Sequence, residues 1–300
     1  MSNAAATDDT TDWQQLSAQA SLASHELIGW IFWDPGAIAR YAALGVPNGT
    51  GYYVATRAAP LAPAGDNAVI AAFYSISPVF IRFSLGLARE HTTFADAYRI
   101  RNEAVAEGLR AWVPEICDAL GAMAPSLWDA VDALPLDGRV LFAAHAEWPR
   151  HHDDPLVSAW LALNCIREWR GDTHFAILAA NGLSGVEAGL LHDAWMGYPG
   201  EWIPRSRGAD DAALTKAMAS LTERRLADGT RVNEAGIDLR HQLERQTDRA
   251  SERAWRHLGA DRTRALCELV TPVAPRLMAR IDQTAGPDWM PAARPRRIRT

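Results

Sequence analysis

The sequence lacks the residues and runs on which several large classes of protein depend. Its three cysteines, Cys117, Cys165 and Cys267, are far apart, odd in number and without a Cys-x-x-Cys pair, which is typical of buried thiols in a reducing cytoplasm rather than of a disulfide framework. No uninterrupted apolar stretch reaches membrane-spanning length, and Met1 to Asp12 lacks the basic start and apolar run of a signal peptide. We therefore expect a cytoplasmic protein with no membrane partner.

Motifs for nucleotide binding and for common hydrolases are also missing. Gly49-Thr50-Gly51 has the wrong spacing for a dinucleotide fingerprint or a phosphate loop and predicts a turn. There is no nucleophile elbow and no zinc-protease helix. His151 to Asp154 contains four potential metal ligands, but adjacent side chains diverge in a loop, and a solvated loop that caps the next helix is the better interpretation. We predict no cofactor and no metal site.

Charge is present but divided unevenly. Residues 1–200 carry 22 acidic residues against 11 arginines, and residues 201–300 carry 19 basic residues against 14 acidic ones. An acidic half joined to a basic half is typical of a nucleic-acid module beside a sensing domain. Most of the C-terminal excess, however, comes from four arginines in residues 294–299. Bulk charge therefore gives DNA binding only weak support.

Apolar residues at helical spacing, together with sparse strand signals, predict a mainly α protein. The strongest helix runs from Leu156 to about Ala180 and ends at Asn181-Gly182. Only Gly51 to Thr56 and the segment near Arg231 and Val232 favour strands.

The stretch from Gly185 to Leu258 has the order of a winged helix-turn-helix. Asp210 and Asp211 predict the cap of a recognition helix that carries apolar residues at helical spacing, and Asp228-Gly229 breaks that helix before a wing and a long charged helix. We predict that this unit packs on a helical N-terminal half, which is itself open to interpretation as a second, diverged winged helix. The predicted parts are a helical N-terminal domain at 16–150, a long central helix at 151–184, a winged-helix-like domain at 185–285 and a basic tail at 286–300.

Several motifs carry a family resemblance. They are Arg57-Ala-Ala-Pro-Leu61, Phe73-Tyr74, Arg167-Glu-x-Arg-Gly-Asp-x-His174 and Gly185-Val-Glu-Ala188. These motifs make the chain resemble a group of actinobacterial proteins that is classed as a helix-turn-helix family. The resemblance extends from about Leu22 to Met278, and the group offers no shared activity that could be carried over to this chain. The C-terminal third is similar to MarR-type winged helices. The resemblance implies a fold more than a function.

The MarR resemblance makes DNA a second candidate partner. Its candidate contacts are Arg207, Lys216, Arg224 and Arg231. The sequence departs from the MarR pattern at the start of the recognition helix, where two aspartates stabilise the helix dipole but repel phosphate. MarR-like folds usually pair through terminal helices, so the segments at 236–258 and 261–281 either form a homodimer or cover the N-terminal half.

Polar residues on one face of the central helix are the main candidates for a ligand site. Asn164, Arg167, Gly171 and His174 follow at spacings of three and four, which places an amide, a guanidinium and an imidazole in a row. Such a stripe either lines a ligand cavity, with His174 as acid or base and Arg167 as an anion clamp, or forms a buried hydrogen-bond network.

A second candidate lies where aromatic rings flank Asp34. Burial against Trp30 and Trp33 would raise the pKa of Asp34 and make it a general base, whereas the simpler interpretation is a cap for the helix that begins at Pro35. Arg57 and Tyr74 belong to the family motifs and are candidates to line the same cavity.

Three functions follow from these patterns. The first is a protein of winged-helix ancestry that binds a small organic molecule in an internal aromatic and polar pocket, which the 12 tryptophans favour. The second is a MarR-like, ligand-responsive regulator that binds DNA. The third is a cofactor-free enzyme of specialised metabolism that uses Asp34 or His174 as a base in elimination or cyclisation.

Overall fold

The computed structural model describes residues 11–285, and these residues are mainly α-helical, as predicted. The predicted basic tail at 286–300 lies outside the described residues. The first nine helices are α1 Trp13–Gly29, α2 Pro35–Ala43, α3 Tyr52–Ala58, α4 Asp66–Phe73, α5 Pro78–His91, α6 Phe94–Trp112, α7 Pro114–Ala122, α8 Ala124–Asp132 and α9 Val140–Glu147. The remaining helices are α10 Pro155–Ala180, α11 Gly185–Met196, α12 Trp202–Ser206, α13 Asp211–Glu223, α14 Glu234–Leu258, α15 Ala260–Val270 and α16 Ala274–Ala285.

The strand predicted for Gly51 to Thr56 is wrong, because this segment opens helix α3. Gly51 turns the chain with a φ of 81°, and the Thr56 hydroxyl donates to the carbonyl of Tyr52 at 2.7 Å, one helical turn earlier. Nearly every residue of α3 is buried, so its short apolar run carries no helical period that could be distinguished from a buried strand.

The predicted wing is present only as a tight turn. Asp228 donates its backbone N–H to Arg231 at 2.9 Å, and one antiparallel bridge joins Ala227 to Val232. Within residues 11–285 no longer strand forms. The helices α11, α12 and α13 and this turn follow one another in the order predicted for a helix-turn-helix unit.

Helix α10 lies at the centre of the molecule. It packs against α1, α7, α8, α9 and α14, and the main core is continuous from Ala20 to Ile281. A second apolar cluster joins the end of α10 to α11, α13, the wing turn and α14. Helices α10 and α14 contribute residues to both apolar clusters. The C-terminal helices therefore pack directly against the N-terminal half.

The C-terminal helices cover the N-terminal half of their own chain. α14 and α15 pack on α1, and α16 packs on the short helical turn Trp30–Trp33 that follows α1. In residues 11–285 no single helix is both long and apolar enough to cross a membrane. α10 and α11 would meet that test only as a pair, and the chain bends by 105° between them.

One close approach inside the core offers a test of the packing. A Cβ added to Gly108 in α6 would overlap the Trp30 ring, whereas a Cβ added to Gly86 in α5 would meet no atom within 4 Å. Alanine in the interior of a helix normally stabilises by about 0.5–1 kcal/mol relative to glycine. We expect Gly86→Ala to raise the free energy of unfolding by that amount and Gly108→Ala to lower it by about 1–3 kcal/mol through overpacking. Urea unfolding measures both, and a stabilised Gly108→Ala variant would contradict the packing of Trp30.

Candidate functional site

A cavity of about 830 Å³ lies between the N-terminal helices and the helix-turn-helix unit. Helices α1, α3 and α10 line it, and so do α11, α12 and α14. This volume is within the usual range for sites that enclose a small organic molecule.

Aromatic rings form one wall of this cavity. Tyr53 is at the centre of the wall, stacked on Trp33 at 6.2 Å and edge-on to Phe32 at 5.1 Å and to Phe73 at 6.1 Å. We call these four residues the aromatic wall. Such rings offer a large apolar surface of fixed geometry for a planar or hydrophobic molecule.

A buried carboxylate joins α10 to α3 at the edge of the wall. Glu168 accepts two hydrogen bonds from Arg57, at 2.6 and 2.9 Å, and one from Arg167 at 2.7 Å. Arg57 also donates to the hydroxyl of Tyr53 at 2.7 Å and lies over the ring of Phe73. Burial by itself would raise the pKa of Glu168, but the two guanidiniums outweigh burial and hold that pKa well below its usual range.

A second ion cluster joins α10 to α14. Arg170 donates to Asp248 at 2.8 Å and also to Glu244, and Arg240 donates to Glu244 at 2.6 Å. These groups also line the cavity. Each of their guanidiniums is bonded to at least one carboxylate.

Arg207 differs from the other cavity arginines. It lies in the turn between α12 and α13, where its side chain donates to the hydroxyl of Ser75 at 2.7 Å and its carbonyl accepts from the N–H of Ser77 at 2.8 Å. In the described part of the chain no carboxylate oxygen lies within 4 Å of its guanidinium. Asp193 in α11 fixes this turn indirectly, since its two oxygens accept the N–H of Ile203 and cap α12.

Three histidines line the cavity, and all three are neutral at physiological pH. Burial is the largest cause, and nearby arginine charges add to it, so the pKa values of His25 and His174 fall to about 3 and that of His192 falls well below its usual value. Their hydrogen bonds then define the tautomers. His25 Nδ1 donates to the carbonyl of Ser21, and His174 Nδ1 donates to Thr247, whose own hydroxyl proton goes to Leu243. Both rings keep an Nε2 lone pair.

The tautomer of His192 is the opposite one. Its Nδ1 lies 3.0 Å from a guanidinium nitrogen of Arg240 and must accept, because arginine only donates. The proton is therefore on Nε2, and no acceptor lies within hydrogen-bond reach of that atom in the described residues.

The structure brings several predicted ligand residues to the cavity. Trp33, Arg57, Arg167 and His174 line it. Three other predicted ligand residues do not line the cavity. Trp30 is in the core, Asn164 lies in a buried network with His145, and Tyr74 stacks on Phe175 at 5.2 Å and donates to the carbonyl of Leu183.

Asp34 does not line the cavity. One of its oxygens accepts the N–H of Ala37 at 3.0 Å and so caps α2, and the other is ion-paired with Arg280 of α16 at 2.7 Å. Both interactions are structural. Its proposed role as a base stays a prediction without support from this geometry.

The predicted DNA contacts are divided between two surfaces. Lys216 and Arg231 are exposed on α13 and the wing turn, and Arg224 is exposed but donates to the carbonyls of Asn181 and Gly182. Arg207 faces the cavity instead. The described residues contain no group of three or more potential ligands that could hold a metal ion, and Asp154 in the 151–154 loop caps α10.

Sequence reasoning missed several charged or polar residues of the site. Among them are Arg170, His192, Arg240, Glu244 and Asp248. A signal was present for Arg240, which is on the buried face of α14 at a spacing of four from Gly236 and three from Leu243. A charged residue at such a position requires a buried partner or a ligand.

A model of a helix-turn-helix family matches residues 17–284. No curated protein and no solved structure gives a significant match.

The buried carboxylate of Glu168 can be tested directly. Glu168→Gln keeps the shape of the side chain but leaves Arg57 and Arg167 without a negative charge, so we expect a loss of about 3–5 kcal/mol in the free energy of unfolding. Urea unfolding monitored by tryptophan fluorescence measures it. The matched control is Glu103→Gln, which removes an exposed ion pair with Arg99 and should change stability far less. Equal losses in the two variants would show that the buried cluster has no special role.

Proposed function

The chain belongs to this helix-turn-helix family, and on that premise we propose that it is a small-molecule-binding protein. The observation that carries the proposal is the cavity of about 830 Å³ between the N-terminal helices and the helix-turn-helix unit. The ligand is an organic molecule with an apolar body, enclosed by protein on both sides.

The lining supports this proposal because it combines an apolar surface with few polar groups of fixed orientation. The aromatic wall gives contact area, and the ion pairs of Glu168 and Glu244 hold the guanidiniums around it in place. The Nε2 lone pairs of His25 and His174 are acceptors for a hydroxyl or an amine of a ligand. A preformed site of this kind loses little entropy when it binds.

An enzymatic role has less support from the same groups. A pKa of about 3, which results mainly from burial, makes His174 a weak base at neutral pH. Asp34 is bonded to Arg280 and to the N-terminus of α2, away from the cavity. Binding without chemistry is the simpler proposal.

The family assignment favours a second candidate, a MarR-like regulator that binds DNA and responds to the ligand. The exposed residues of α13 are small or polar, and residues 210–231 carry four acidic and four basic side chains, so their net charge is zero. Affinity for DNA would then depend on a few contacts rather than on a basic surface. The position of Arg207, one turn before α13 and inside the cavity, gives a physical route from ligand to recognition helix.

Ligand binding can be tested with an uncharged aromatic probe, N-phenylnaphthylamine, whose fluorescence rises in apolar surroundings. We expect one molecule to bind per chain. Gly29→Trp should abolish this binding, because Gly29 lines the cavity and a Cβ built there meets no atom within 4 Å, so the new ring has room to fill the space. Gly86→Trp is the matched control on the outer surface of α5 and should bind normally. Absent binding, or binding that survives Gly29→Trp, would contradict the proposal.

The regulator candidate is tested by selecting fragments of genomic DNA with the full chain and measuring salt dependence. If a fragment is retained, Lys216→Ala and Arg231→Ala should each weaken binding and lower the slope of log affinity against log salt by about 1. Arg262→Ala, an exposed arginine on α15, removes the same charge as a control. Equal losses in all three variants, or no retained fragment, would argue against DNA recognition by α13.

A further inference from the structure

The cavity lining holds more positive than negative charge. Five arginines line it, namely Arg57, Arg167, Arg170, Arg207 and Arg240. Three carboxylates are bonded to them, those of Glu168, Glu244 and Asp248. Because the histidines of the cavity are neutral, two positive charges have no counterpart among the described groups of the lining.

This excess is not spread evenly. Arg57 and Arg167 share Glu168, while Arg170 and Arg240 share Glu244, and Arg170 also has Asp248. Among the described residues, the guanidinium of Arg207 is bonded only to a hydroxyl, that of Ser75. The least compensated charge is therefore at the helix-turn-helix end of the cavity.

The carboxyl group that acts most on Arg207 does not cancel its charge. Asp193 attracts Arg207, but its oxygens are bonded to the N–H of Ile203, and burial raises the pKa of Asp193 to about 7. A carboxyl with that pKa is protonated in a large fraction of molecules at neutral pH. Repulsion from Arg57 and Arg240 adds to the effect of burial in lowering the pKa of Arg207, which remains charged.

The same end of the cavity has a donor without an acceptor. His192 carries its proton on Nε2, and Arg240, which fixes this tautomer, also lies over the ring of Trp195 at 4.5 Å. Arg207 and Arg240 both lower the pKa of His192, so both charges act on the ring. The guanidinium of Arg207, which has no carboxylate partner, the guanidinium of Arg240, which is paired with Glu244, and the unpartnered N–H of His192 together offer the donors that a carboxylate or sulfonate requires.

We propose that Arg207, Arg240 and His192 form an anion subsite that binds the acidic group of an aromatic organic acid, whose ring system lies against the aromatic wall. This inference rests on the proposed function, since it assigns a chemical class to the ligand of the same cavity. Binding of the acid supplies the negative charge that the lining lacks and offsets the cost of a buried cation.

Two probes that share one aromatic framework distinguish the anion subsite from the binding of organic molecules in general. Anilinonaphthalene sulfonate carries a sulfonate on the framework of the uncharged N-phenylnaphthylamine. We expect the anion to bind at least about ten-fold more tightly at low salt, with an advantage that shrinks as salt rises. Gly29→Trp should remove both, which assigns both probes to the cavity.

The role of Arg207 is tested with three variants. Arg207→Gln should weaken binding of the sulfonate about ten-fold more than binding of the uncharged probe, and Arg207→Lys should restore part of the difference. Ser75→Ala removes the hydrogen bond of Arg207 but keeps its charge, so the preference for the anion should persist. That control separates loss of charge from loss of structure.

The outcomes are distinguishable. If neither probe binds in the cavity, the proposed function itself fails. If the uncharged probe binds there but the sulfonate binds no more tightly, or Arg207→Gln weakens both probes equally, the cavity binds organic molecules without an anion subsite and this inference is overturned.

Discussion

The carboxylate of Glu168 is the interaction on which the site depends. It is buried in the middle of the central helix and bonded to guanidiniums from α3 and from its own helix. A buried charge of this kind contributes little net stability compared with apolar packing, but removal of one member leaves the others uncompensated. The pairing therefore fixes the position of α3 against α10, and with it the orientation of Tyr53 and Phe73 in the aromatic wall.

The cavity and the helix-turn-helix unit are one physical system. Helices α10, α11 and α14 line the cavity and also enclose the apolar cluster under α13. The turn before α13 is bonded to Ser75 and Ser77 of the N-terminal half, and Gly185 at the start of α11 packs directly on the backbone of Tyr74 and Ser75. A molecule that changes the bonding of Arg207 acts at a contact between the two halves. This arrangement would let a ligand bias the position of α13.

Local sequence patterns were sufficient for much of the fold. The central helix, predicted from Leu156 to about Ala180, is observed as α10 at Pro155–Ala180, because the cap in the loop before it and its end at Asn181-Gly182 are local signals. The strand predicted in place of α3 has a physical explanation. α3 is buried on nearly all sides, so its sequence shows no alternation of apolar and polar residues at helical spacing. Arg167 and His174, which belong to the predicted stripe on α10, both line the cavity, since side chains three and four apart share a face of a helix. Neither the glutamate that pairs with Arg167 nor the neutral state of His174 follows from spacing.

The sequence by itself determined most of the helices and the order of the helix-turn-helix unit, because these depend on residues within a few turns of one another. Tertiary structure decided which charges meet. Arg57 and Glu168 are 111 residues apart, and Arg207 and Ser75 are 132 apart. It also decided that Arg207, a candidate DNA contact in the sequence, faces an internal cavity. Burial and long-range pairing set the charge of each group there, and both arise only when distant helices pack together.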